Sequence, residues 1–121
     1  MGESIELKER TRNFALKIIK LVELLPPGVV SGVLGEQILR AETSIGANYR
    51  AACRARSASE FISKMHTVQE EADETQYWLD LLRNSNKIAE DVFAKLIGEA
   101  RELTAIFTAS EKTARQNQQR S

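Results

Sequence analysis

The stretch FISKMHTVQEEADETQYWLDLL, from Phe61 to Leu82, decides the fold. Phe61, Met65, Val68, Ala72, Thr75, Leu79 and Leu82 recur in it at alternating spacings of four and three. A helical period of 3.6 residues gathers all seven on one stripe, while a strand would scatter them over both faces. The seven-residue repeat also favours shallow left-handed crossing of neighbouring helices. The stretch therefore predicts a helix from about Ser59 to Arg83. Ser57-Ala58-Ser59-Glu60 opens it as a capping box: Ser57 accepts from the Glu60 amide, and Glu60 reaches back.

The same reading extends outward. Leu7, Thr11, Phe14, Ile18, Val22 and Leu25 predict a first helix from about Ser4, its expected N-cap, to Leu24. Pro26-Pro27-Gly28 ends it, because proline lacks the amide donor and restricts the residue before it. Leu34, Ile38, Ala41, Ile45, Asn48 or Tyr49, and Ala52 predict a second helix from about Val30 to Arg56. Gly32, Gly35 and Gly46 lie inside it, each costing about 1 kcal/mol relative to alanine. Either the glycines admit close helix–helix approach, or a short break falls near Gly32–Gly35. Downstream, Asn84-Ser85-Asn86 is a turn with cap-competent side chains. The fourth helix is expected from Asn86 or Lys87 to about Lys112. Its stripe is Ala89, Val92, Leu96, Ala100, Leu103 and Phe107, extending to Ser110 and Ala114. Short connections make consecutive helices antiparallel, so the expected fold is an all-α, up-down-up-down four-helix bundle. One domain is expected over residues 1–121, with 115–121 as a frayed polar tail.

Bulk composition agrees. The chain has 121 residues, 42% hydrophobic and 28% charged, which is ordinary for one globular domain. Lys plus Arg and Asp plus Glu are 17 each. The two halves differ slightly: residues 1–60 hold nine basic and seven acidic groups, residues 61–121 eight and ten. A dedicated nucleic-acid binder usually carries a clear basic excess, so neutrality argues mildly against that class. Cys53 is the one cysteine, so no intrachain disulfide is available and a reducing, cytoplasmic setting is expected. Neither a signal peptide nor a membrane span is apparent.

The chemistry-bearing residues do not converge. His66 is the sole histidine and lies almost opposite the stripe of its helix, where a solvated role is expected. Cys53 flanks an apolar stripe and reads as a packing residue. Glu70, Glu71 and Glu74 have no histidine at the Glu-x-x-His spacing of di-iron bundles. Gly32-x-x-Gly35 lies in a helix and lacks the strand context of a phosphate loop. No catalytic, cofactor-binding or metal-binding residues are therefore assigned, and an enzyme is not expected.

Three other groups of residues are candidates for a role. Arg40, Ser44 and Asn48 on the second helix can meet Lys64, Glu71 and Glu74 on the third. The expected outcome is a polar network that fixes register; the alternative is a buried ligand pocket. Tyr77, Phe93, Ile97 and Ile106 lie off their stripes and are candidates for an oligomer interface, with Ile88 beside them. Arg10, Arg12, Lys17 and Lys20, with Arg50, Arg54 and Arg56, are candidate nucleic-acid contacts. The arginines ending the second helix and the acidic third helix suit head-to-tail assembly; a plain solvated face is the alternative.

The run Gln37-Ile38-Leu39-Arg40-Ala41-Glu42-Thr43-Ser44-Ile45-Gly46-Ala47-Asn48-Tyr49, with Ala51-Ala52 and Ser57, resembles the signature of bacterial four-helix bundle proteins encoded in 23S ribosomal RNA intervening sequences. Asn13-Phe14-Ala15, Phe61-Ile62-Ser63-Lys64-Met65 and Glu71-Ala72-Asp73-Glu74-Thr75-Gln76-Tyr77-Trp78-Leu79 share the resemblance, which covers about Arg12 to Leu82. It implies a four-helix bundle that assembles as a homopentameric ring, without enzyme activity or cofactor, and with a largely undefined molecular role. The chain is also similar to the accessory proteins of diversity-generating retroelements, which are basic pentamers that bind a reverse transcriptase and nucleic acid. The neutral charge sets this chain apart from them. The apolar surplus and the paired charge patches, together with this resemblance, lead to the expectation of a self-assembling interaction or scaffold protein, with RNA or a protein as a candidate further partner. The alternative is a nucleic-acid-binding accessory protein.

Overall fold

A computed structural model describes residues 2–85 and 88–120, the side chains of residues 2–5 excepted. Four helices follow in order: α1 Gly2–Leu24, α2 Val29–Cys53, α3 Ala58–Ser85 and α4 Glu90–Arg120. The result is an all-α four-helix bundle. α2 packs on α3, α3 on α4 and α1 on α2, while the seam between α1 and α4 is the thinnest of the four. Among the described residues the backbones of α1 and α3, and of α2 and α4, do not approach closely, so these are the diagonal pairs; α2 and α4 meet only through core side chains, as where the rings of Tyr49 and Phe107 lie 5.8 Å apart.

The core is mainly apolar. On α3 it takes Ile62, Met65, Val68, Ala72, Thr75, Leu79 and Leu82. Phe61 is only half-buried, so the stripe enters through Ile62 instead. Phe14 and Ile18 of α1, Ile38 and Ile45 of α2, and Phe93 and Phe107 of α4 complete the centre. Thr11 and Thr75 are buried without polar cost, since each hydroxyl donates to a carbonyl of the preceding turn, Lys8 O at 3.0 Å and Glu71 O at 2.9 Å.

The turns match their chemistry. Gly28 has φ +148°, a region that side chains other than glycine rarely adopt, and follows the Pro26-Pro27 stop. Ser57 Oγ accepts the Glu60 amide at 3.0 Å. The return arm differs from the ideal capping box: Glu60 accepts from the amide of Arg56 at 3.1 Å, one residue before the cap.

Several boundaries differ from expectation. α1 begins at Gly2, so Ser4 lies inside the helix; its side chain lies outside the described residues. Asn86 and Lys87, the expected start of the fourth helix, also lie outside them, and α4 is helical from Glu90. α2 crosses Gly32 and Gly35 unbroken. A Cβ on Gly35 would meet Val22 Cγ1 at 3.2 Å and Leu25 Cδ1 at 3.4 Å, so this glycine admits close approach of α1. The expected frayed tail is helical through Arg120, which makes α4 the longest element at 31 residues.

Candidate functional site

The polar residues of α2 and α3 fall into two separate groups. Arg40 Nη1 donates to Glu71 at 3.2 Å, Nη2 donates to Glu74, and Nε donates to Gln37 at 3.3 Å. One guanidinium thus spans two carboxylates a turn apart on α3 and ties α2 to α3. The group is partly exposed, so each ion pair contributes about 0–1 kcal/mol. Asn48 does not cross to α3. Its Nδ2 donates to Ser44 O at 3.0 Å and Ser44 Oγ at 2.9 Å, within its own helix. Lys64 is half-buried with no hydrogen bond or ion pair to another described residue. The expected six-residue network is therefore corrected: Arg40, Glu71 and Glu74 are joined, while Ser44, Asn48 and Lys64 stand outside.

α3 and α4 are joined by a second polar seam. Glu111, buried on α4, accepts from Gln69 and from Arg115 Nη2 at 2.8 Å. His66 lies 3.7 Å from it and from Glu70. Gln76 donates to Thr104 at 2.9 Å one repeat further on. The histidine is exposed, as its position on α3 implied.

The least expected polar group is Glu42. It is 0% exposed, and neither carboxylate oxygen has a hydrogen-bond partner among the described residues. Burial, and then the charge of Glu99, push its pKa up to about 8. A neutral carboxyl is far cheaper to enclose than a charge. The signal for it was present, because Ile38 lies four residues before Glu42 and Ile45 three after. Those spacings put all three on one face.

The interface candidates divide. Tyr77 is 56% exposed and Ile106 is half-buried. Phe93 and Ile97 are core residues, Phe93 at 0% exposure, and are corrected as interface candidates. α4 packs against two neighbours, so its buried arc spans Phe93, Leu96, Ile97 and Ala100 and is wider than the single stripe read from sequence. Ile88 likewise packs against the core. Besides Tyr77, the large exposed apolar side chains are Leu16, Ile19 and Leu24 of α1 and Val29, Val30 and Val33 of α2.

The basic candidates divide as well. Arg10 pairs with Glu102 at 3.2 Å and Lys17 with Glu99 at 2.9 Å, so both clamp α1 to α4. Arg12, Lys20, Arg50, Arg54 and Arg56 are exposed. Among the described residues no cluster of three His, Cys, Asp or Glu side chains has the arrangement to hold a metal ion. No described helix is long and apolar enough to cross a membrane.

The chain has a solved structural neighbour, a protein of unknown function from the S23 ribosomal protein family of Bacteroides thetaiotaomicron. The two are 33% identical and superpose with a TM-score of 0.82, over 90% of this chain and 97% of that one. No curated protein sequence matches the chain. The sequence profile of the 23S rRNA-intervening sequence proteins matches residues 3–109, and the chain belongs to that family.

Proposed function

We infer that the chain is a non-catalytic interaction protein that assembles from copies of itself in the cytoplasm. Five copies is the number implied by the sequence resemblance. The carrying observation is the amount of large apolar surface left outside a well-filled core: Leu24 at 63%, Val29 at 83% and Tyr77 at 56% exposed. Surface of this kind on a small bundle signals association. The absence of converging reactive groups in the sequence supports a scaffold over an enzyme. Sedimentation equilibrium at micromolar concentration tests the reading: a multiple of the single-chain mass is expected, and a single-chain mass throughout contradicts it.

The exposed arginines at the end of α2 favour a second reading, as a nucleic-acid-binding accessory protein. Arg50, Arg54 and Arg56 are all exposed there. Phosphate contacts would make binding weaken steeply with salt. Titration of structured RNA and of duplex DNA at low salt tests it. No binding to either rules it out.

A further inference from the structure

The thin α1–α4 seam opens into a groove of about 270 Å³. Leu21, Val92 and Leu96 lie in it, with Leu24, Lys20 and Lys95 exposed at its edge. Lys17 and Glu99 also line it but hold each other at 2.9 Å. Lys20 and Lys95 have no ion-pair partner among the described residues; Asp91 is the other acidic group of the lining. The volume is below that of ordinary small-molecule pockets and suits one large side chain.

A complementary surface lies on α3. Its outward residues Glu70, Asp73, Tyr77 and Asp80 follow one another at spacings of three, four and three, and all are exposed. Tyr77 thus presents an aromatic ring between two aspartates, inclined at 60° to the Trp78 ring with 5.1 Å between ring centroids. α3 and α1 are diagonal in the bundle, so the stripe faces away from the groove of its own copy.

We propose that the α3 stripe of one copy docks into the α1–α4 groove of the next, with Tyr77 seated on Leu21, Leu24 and Leu96. Asp73 and Asp80 then face Lys20 and Lys95. This pairing rests on the self-assembly reading and adds the two surfaces through which assembly occurs. Opposite charge selects it: two stripes would repel, and so would two lysine-edged grooves, which disfavours a two-fold dimer through either surface. Distinct surfaces make the contact head-to-tail, and such contacts propagate until a ring closes.

Charge reversal tests the pairing. Three variants are compared with the wild type by sedimentation: Asp73→Lys with Asp80→Lys, Lys20→Glu with Lys95→Glu, and all four together. Either reversal alone is expected to lower the assembled mass, loosening association by about tenfold or more, and the fourfold swap to restore it. Unchanged mass in both reversals, with the wild type assembled, overturns the pairing and leaves self-assembly standing. A wild type of single-chain mass removes both. Should a reversed chain fail to fold, a second experiment decides. In a Cys53→Ser chain, Tyr77→Cys together with Leu24→Cys is expected to give a ladder of disulfide-linked chains on oxidation. Either cysteine alone gives none. No ladder from the double variant overturns the pairing.

Discussion

The enclosed carboxyl of Glu42 on α2 feels the charge of Glu99 on α4, although the two helices are diagonal in the bundle. Glu99 is drawn outward to Lys17 at 2.9 Å, while Glu42 has no hydrogen-bond partner among the described residues. Its pKa of about 8, against an ordinary 4.5, means that the folded chain retains a proton that the unfolded chain releases. This contribution to stability is fully present below the unfolded pKa. It is lost as pH rises from 4.5 through about 8, and levels off above that. Chemical denaturation should therefore show a loss of roughly 3 kcal/mol from mildly acidic to mildly alkaline pH. Glu42→Gln should flatten that slope. A wild-type profile already flat over this range would contradict the assignment.

Phe93 and Tyr77 separate core from surface. Phe93 is fully enclosed, so Phe93→Ala should cost about 3–5 kcal/mol of folding stability. Tyr77→Ala should change stability of the single chain by less than about 0.5 kcal/mol and act on assembly instead. Denaturant titration paired with sedimentation distinguishes the two. Equal destabilisation would mean that the phase of α4 or α3 is wrong.

Two glycines of α2 should respond in opposite ways. Nothing lies within 4 Å of a Cβ built on Gly32, so Gly32→Ala should stabilise by about 0.5–1 kcal/mol through helix propensity. Gly35 abuts Val22 and Leu25, so Gly35→Leu should push α1 away and cost roughly 1–3 kcal/mol. Thermal melts of both variants test the contrast, and a tolerated Gly35→Leu would show that α1 is free to move.

The cap of α3 is a local check. Ser57→Ala removes the acceptor for the Glu60 amide and should cost about 1 kcal/mol. Glu60→Ala should cost less, because its carboxylate meets the exposed Arg56 amide.

Legibility of the sequence varied with the environment of each helix. α3 faces α2 and α4 with a regular heptad, and its buried set was readable from Met65 onward; only Phe61 gave way to Ile62. α4 was harder, since alanine and isoleucine surround its stripe and the phase that encloses Phe93 differs by a single residue from the one that encloses Val92. The joining of Arg40 to Glu71 and Glu74 followed from antiparallel packing, whereas Asn48 had an intrahelical partner in Ser44 that spacing alone does not rank against Lys64. Glu42 was hidden by its chemistry: an acidic residue is normally placed outside, and only its neighbours Ile38 and Ile45 mark the position as interior. The polar end of α4 stays helical through Arg120, beside Gln118, whose Nε2 donates to Ser59 at 2.9 Å; composition alone carries no sign of that contact.

We propose that this bundle works as an assembly and not as a single chain. Sedimentation equilibrium of the unmodified protein across the micromolar range tests it most directly. The predicted result is one species at an integral multiple of the single-chain mass, five by resemblance, that dissociates on dilution without unfolding. A chain that stays at its own mass at every concentration would contradict self-assembly.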